Sequence, residues 1–214
     1  MAVRKLNREQ IVEAAVRAID ADGLENLSMR RLAGTLGVEA MSLYNHFPNK
    51  AEILNAVHQR LLAEMPVPGG QGTWQEQVRK SAWAFRKMLQ EHPRAIPLLA
   101  STAAVTPESL AYLEGGVTVF YSAGLSANDS LRAFQSIFAL VVGHAAFHFS
   151  RSGQEMLDPE KHYCDSSILA RISSLDPEAE LEFGLELLIA GVERRLGTDP
   201  AGSGLSAACN TSNP

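Results

Sequence analysis

Apolar residues recur at helical spacing along most of the chain, and short glycine- and proline-containing turns divide them into separate stripes. Ile11, Ala15, Ala18 and Ile19 form the first stripe and predict a helix from about Asn7 to Asp22, with Gly23 where a left-handed C-terminal cap is expected. Ser28 stands before Met29-Arg30-Arg31-Leu32-Ala33, where its hydroxyl can accept an otherwise unpaired amide and start a second helix. Ala33, Gly37 and Leu43 then fall at spacings of four and six residues. Ala33 is small enough for two helices to approach, Gly37 can reverse the chain in left-handed backbone, and Leu43 returns an apolar anchor. Leu24, Leu27, Leu32, Leu36, Val38, Phe47, Ile53, Leu54 and Val57 complete one small core.

The run Pro66-Val67-Pro68-Gly69-Gly70-Gln71-Gly72 breaks the periodicity, so a fourth helix ends at Met65 and a new region begins. Trp74, Val78, Ala82, Phe85 and Leu89 predict the next helix, closed by His92-Pro93 and followed by a short one bearing Ile96 and Leu99. Thr106-Pro107-Glu108 starts another, with Thr as cap and Pro at the first helical position. Gly115-Gly116 interrupts it and marks a kink or a close approach by another helix or a ligand. Ser126 begins a long apolar helix to Arg151, residues 152–176 read as a loop, and a last helix starts at Asp176-Pro177. In that helix Leu181, Leu185, Leu188 and Val192 share one face and Phe183, Leu187 and Ala190 another. Two apolar faces need two partners: the chain's own core and a second subunit. Residues 198–214 have the composition of a disordered tail.

Residues 33–50, read as a helix-turn-helix, place a short helix for the DNA major groove. Together with the run Ile11 to Ile19, the segment Leu27-Ser28-Met29-Arg30-Arg31-Leu32-Ala33, the turn Leu36-Gly37-Val38 and Leu43-Tyr44-Asn45-His46-Phe47 with Lys50, residues 6–57 resemble the DNA-binding domain of the TetR family of bacterial regulators. The segment Phe183 to Leu196 resembles, more loosely, the last helix of the tetracycline-repressor-like C-terminal class. The resemblance implies an all-α chain. A three-helix DNA-binding domain with its connecting helix would occupy residues 1–66, and a helical effector-binding and dimerisation domain residues 73–197. It also implies a homodimer, for which helices 126–151 and 177–197 are the candidate interface, and DNA affinity controlled by a small ligand.

The 214 residues, 46% hydrophobic and 20% charged, are ordinary globular usage. Net charge is −5, but residues 1–60 carry eight basic against seven acidic side chains and the remainder 11 against 17. The positive end is therefore the N-terminal unit, where Arg4, Lys5 and Arg8 read either as a basic arm along a phosphate backbone or as a solvated terminus. Cys164 and Cys209 are too few for a disulfide scaffold and lack metal-ligand spacing. No leader pattern and no run of eighteen consecutive apolar residues is present, so a cytoplasmic protein without a membrane partner is expected.

Phosphate contacts fix register and base-edge contacts give discrimination. Tyr44 and Lys50 stand at positions that touch phosphate in the family, with Ser28 a further donor and His46 beside them; internal satisfaction of the Tyr44 hydroxyl is the alternative. The reading helix offers Glu39, Ala40, Met41, Ser42 and Asn45 and no cation. Asn45 suits adenine, Glu39 cytosine, Ser42 several bases, and Ala40 or Met41 the thymine methyl. Arg30 is the candidate guanine reader, with a phosphate or surface role as the alternative.

Candidates for the effector site are Trp83, Phe85, Phe120, Gln135, Phe138, His144 and His148. The two histidines share one helical face and suit a metal pair, but with no third ligand in the pattern they read instead as cavity-lining or dimer-seam residues, and neither a metal nor a cofactor is expected. Met65-Pro66 stand where the tetracycline repressor has a drug-binding histidine, so a tetracycline-type ligand is not implied. The reading is a non-enzymatic, ligand-responsive repressor of a palindromic double-stranded operator, released by a small hydrophobic or aromatic effector. A helical enzyme using His144 and His148, an activator, and a regulator without ligand control are the alternatives.

Overall fold

The computed structural model describes residues 6–101, 107–149 and 175–198, and all regular structure among them is helical. The order is α1 (Arg8–Asp22), α2 (Met29–Leu36), α3 (Ala40–Tyr44), α4 (Lys50–Leu62), α5 (Trp74–Glu91), α6 (Ile96–Ser101), α7 (Pro107–Ser122), α8 (Ala127–Phe149) and α9 (Pro177–Thr198). The loop expected at 152–176, apart from Leu175 and Asp176, lies outside the described residues. So do Thr106, Arg151, the N-terminal Arg4 and Lys5, and the tail from residue 199.

Caps set most helix starts. Asn7 and Gln10 form a reciprocal capping box at α1, Ser28 Oγ accepts the Arg31 amide at α2, and Asn49 Oδ1 accepts the Glu52 amide at α4. Thr73 and Glu76 form a second capping box at α5. At α8 the Ser126 hydroxyl accepts the Asp129 amide at 3.1 Å.

Four details differ from the expectation. Gly23 has φ 91° and ψ 157°, a positive-φ pair that is open to glycine but is not the left-handed helical cap, and the chain passes straight into a one-turn 3-10 helix, Leu24–Asn26, that carries Leu27 into the core. α4 stops at Leu62, and residues 63–65 continue as turns closed by Glu64 and Met65 amides on the Leu61 and Leu62 carbonyls. α7 runs unbroken through Gly115-Gly116. Of the two readings of the pair, the kink is absent and the close approach holds: a Cβ on Gly115 would lie 2.6 Å from the Pro68 carbonyl oxygen, and one on Gly116 would overlap the Phe134 ring. In α9 the fully buried stripe is Leu181, Leu185 and Ile189, with Leu188 and Val192 only half-buried. The i, i+4, i+8 row faces α8, and Leu140 packs 3.0 Å from where a Cβ on Gly184 would stand.

α8 is the hub of the C-terminal half, packed against α5, α7 and α9. It has the length and apolar content of a membrane-crossing helix. These helices and α6 cover part of its surface, while Leu131 and Phe147 remain exposed. The N-terminal helices and this body share one interior: buried residues run without a break from Ile11 and Phe47 through Leu61 and Met65 to Phe85, Val141 and Leu185.

Candidate nucleic-acid interface and effector cavity

The helix-turn-helix pivots on Gly37, whose φ of 66° and ψ of 31° are the left-handed cap of α2. No neighbour lies within 4 Å of a Cβ there, so backbone geometry alone selects glycine. Beneath the turn Leu32, Ala33, Leu43 and Phe47 are buried and fix α3 against α2. That packing leaves Met41 71% exposed and Tyr44 47% exposed, with Glu39 and Asn45 also exposed and Ala40, Ser42 and His46 half-buried. Lys50 is the first residue of α4, and Ser28 the half-buried cap of α2.

The cations divide by partner. Arg31 is held by Asp22 at 3.1 Å and the Asn26 carbonyl at 3.2 Å. Arg8 lies over the Phe47 ring, 3.9 Å from its centroid, and donates to the His46 carbonyl, so of the basic arm it serves the core edge. Arg30 is exposed on α2 with no ion pair among the described residues, which leaves its guanidinium available to an outside anion or base edge.

Between this head and the body lies a charged clasp. Arg60 of α4 meets Glu13 of α1 at 2.6 Å and Glu64 at 2.7 Å. His92, in the corner after α5, reaches Asp20 of α1 at 2.9 Å and Glu64 at 3.4 Å. Arg94 donates to the Ala21 carbonyl.

A narrow cavity of about 40 Å³ opens between α5, α7 and α8, so a guest larger than a few atoms must spread the three helices. Phe85 and Phe138 stack within it at 5.1 Å between centroids, and Phe134 and Tyr112 meet edge-on at 6.1 Å. Val78, Phe120, Ile137 and Val141 add apolar wall, Gln77, Ser81 and Tyr112 the polar groups, and Pro68 of the linker closes one side. Burial pushes the Tyr112 phenol up to about 12, so it remains a neutral hydroxyl.

Of the sequence candidates, Phe85, Phe120 and Phe138 line this cavity. The rest lie elsewhere. Trp83 donates to Glu182 at 3.2 Å, and Arg79 at 2.6 Å, with Trp83, holds that carboxyl below its ordinary range. Gln135 is exposed. His144 Nε2 bonds the Pro177 carbonyl at 2.8 Å and His148 Nε2 meets Glu180 at 3.0 Å. Burial lowers His144 below the usual imidazole value. Sequence reasoning passed over Gln77, Ser81, Tyr112 and Phe134 as site residues. The signal was present in the α5 and α8 stripes, since Val78, Ala82 and Phe85 face Phe134, Phe138 and Val141 across the cavity.

A family model described as "Bacterial regulatory proteins, tetR family" matches residues 11–57, and one described as "Tetracyclin repressor-like, C-terminal domain" matches residues 65–196. The HTH-type transcriptional repressor DrrR1 of Streptomyces coeruleorubidus is 34% identical over 142 residues, 65% of this chain. That match spans 53%, about half, of the length of DrrR1. The class C tetracycline repressor protein of Escherichia coli is 28% identical over 90% of this chain and 93% of its own. Apo ActR from Streptomyces coelicolor superposes with a TM-score of 0.78 at 29% identity, covering 92% of this chain and 99% of that one. ActR has also been crystallised with (S)-DNPA and with actinorhodin.

Proposed function

The chain belongs to the TetR family of bacterial regulators, and from that footing we propose that it is a ligand-responsive repressor whose dimer grips an operator and releases it when an effector enters the cavity. One observation carries the reading: the cavity wall includes Pro68, six residues after the end of α4, and Pro68 in turn packs on Gly115 of α7. A guest that spreads α5, α7 and α8 therefore presses on the segment leaving α4. The Glu13–Arg60–Glu64–His92–Asp20 clasp supports transmission, because it ties α4 to α1 and both to the α5–α6 corner. Rotation of α4 then changes the separation of two heads that must match half-sites about 34 to 36 Å apart. Release requires that the effector bind the displaced state more tightly than the DNA-bound one.

The lining selects the effector class. Stacked Phe85 and Phe138, with Phe120 and Phe134, suit a flat aromatic body, and Gln77, Ser81 and Tyr112 suit a few hydroxyl or carbonyl groups. No charged residue lines the cavity among the described residues, which favours an uncharged guest. ActR, which is similar to this chain over nearly its whole length, has been crystallised in complex with actinorhodin, which supports a small-molecule guest here. Pro66 argues against tetracycline coordination.

Contacts with DNA run in two layers. Tyr44 and Lys50, with Ser28 and His46, hold phosphate; Met41, Asn45, Ser42, Ala40 and Glu39 meet base edges, and Arg30 reads a guanine from α2. Dimerisation uses Leu131 and Phe147 of α8 with Phe183 and Leu187 of α9, large apolar side chains left exposed on the two helices that pack together. This covering also accounts for the apolar length of α8 without a membrane, in keeping with a cytoplasmic regulator.

The test is binding to DNA upstream of the protein's own gene, titrated against salt and repeated with Tyr44→Ala/Lys50→Ala. Specific, salt-sensitive binding that the double variant loses and a small aromatic effector reverses is the expected result. Absence of specific binding both there and in a selection from genomic fragments overturns the reading.

A further inference from the structure

We propose that His144, His148 and Glu180 form a site for a divalent transition metal of the zinc class, joining the C-terminal end of α8 to the first turn of α9. The histidine pair is one helical turn apart with ring centroids 4.4 Å from each other. The fold supplies the third donor that the sequence spacing lacks: one ligand-capable atom from each of the three residues lies within 4.8 Å of the others. His148 Nε2 and Glu180 Oε2 already stand 3.0 Å apart. Two ligands about 2.0 Å from a tetrahedral zinc are separated by about 3.3 Å, so the remaining adjustment is a small side-chain rotation.

The bonding of His144 has the form that metal-bound imidazoles show. The Pro177 carbonyl can only accept, so the 2.8 Å bond places the proton of His144 on Nε2. Nδ1 then carries a bare lone pair, and it is buried without a partner. A histidine ligand held by a backbone carbonyl through its other nitrogen is pre-oriented, and its tautomer is fixed, before the ion arrives. The cation felt at His144 is Arg86, whose guanidinium is met by Glu178 at 3.5 Å and lies over the Phe149 and Trp83 rings. Glu178 and Glu180 thus leave the first turn of α9 acidic where a cation would dock.

Two imidazoles and one carboxylate favour zinc, cobalt or nickel over magnesium or calcium, which prefer oxygen cages. A fourth position stays open to water. The site is separate from the aromatic cavity, and its existence does not depend on the effector reading.

The experiment uses the full chain, stripped with chelator and titrated calorimetrically with zinc and then magnesium. Cobalt absorption reports coordination geometry. His148→Gln and Glu180→Gln, both partly exposed positions, are compared after their helical content is checked by circular dichroism. The expected result is one zinc per chain, no magnesium heat, a cobalt band of tetrahedral strength, and at least about tenfold weaker zinc binding in each variant. No zinc binding, equal binding of magnesium, or zinc binding unchanged in both variants overturns the proposal; the last would place the ion on other donors such as His162 and Cys164.

Discussion

Gly116 of α7 lies directly against the ring of Phe134 on α8, closely enough that a methyl group at 116 would occupy the space of the ring. Both residues line the cavity between α5, α7 and α8. In Gly116→Ala the ring must turn into the cavity, because α7 and α8 cannot part without opening the core. Overpacking of this kind costs about 1 to 3 kcal/mol. The expected outcome is a lowered melting temperature together with a much weaker response to aromatic effectors while operator binding persists. Fluorescence titration of effector and an operator mobility assay on the same variant check it.

Gly37→Ala isolates a backbone effect at the reading head. Space is open around the position, so the cost is that of left-handed backbone, about 1 to 2 kcal/mol. Gly37→Asn is expected to recover part of it, since asparagine tolerates that region better. Denaturant unfolding of the three proteins checks the order Gly, Asn, Ala.

Arg30→Ala is expected to relax preference at one base pair in each half-site by about 1 to 3 kcal/mol while leaving the salt slope nearly intact. Lys50→Ala is expected to weaken every operator variant alike and reduce that slope by about one. Binding of a panel of single-base operator variants, each at three salt concentrations, separates the two. A uniform loss for Arg30→Ala would make it a phosphate contact.

His58 gives the protein a pH dependence. It is buried on α4 with Nδ1 unpartnered, and desolvation holds its pKa below the ordinary value of about 6.5. The unfolded chain therefore takes up the proton first. Stability is full above about pH 6.5 and falls as the pH drops below it, down to the lowered folded pKa. His144, lowered chiefly by burial, adds in the same direction. His58→Leu is expected to flatten the difference between unfolding midpoints at pH 7.5 and 5.5 without abolishing it.

Phe183 and Leu187 are 62% and 60% exposed on α9. If they anchor the subunit contact, each aspartate substitution removes about 2 kcal/mol or more of association. Phe183→Asp/Leu187→Asp is expected to run as a monomer in light scattering, to keep its helical content, and to lose operator affinity because one head cannot use two half-sites.

Much of this architecture is legible in local sequence, because helix caps and stripes are local. Ser28, Gly37 and Ser126 mark boundaries the structure keeps. The DNA-reading face follows from the same economy, since Leu32, Ala33, Leu43 and Phe47 point inward and their neighbours are left outside. The cavity is only half legible. Phe85, Phe120 and Phe138 stand out, but Phe134, Gln77, Ser81 and Tyr112 join them only where three helices meet. The clasp is not legible at all, for His92 and Asp20 lie 72 residues apart and no periodicity links a corner after α5 to the flank of α1. Glu180 likewise joins His148 across 32 residues. Rotation of α9 by part of a turn, from the Leu188 and Val192 face to Ile189, reflects a choice between two apolar faces that composition leaves nearly equal.

The unbroken interior from Ile11 to Leu185 bears on how such a protein is re-engineered. Grafting a foreign reading head onto this body cuts through buried neighbours at Leu61, Met65, Ala95 and Leu98. A hybrid joined within the glycine-rich linker keeps each sequence intact yet mismatches that seam. One that exchanges only the exposed residues of α3 and Arg30 leaves the seam alone and transplants the address without the house.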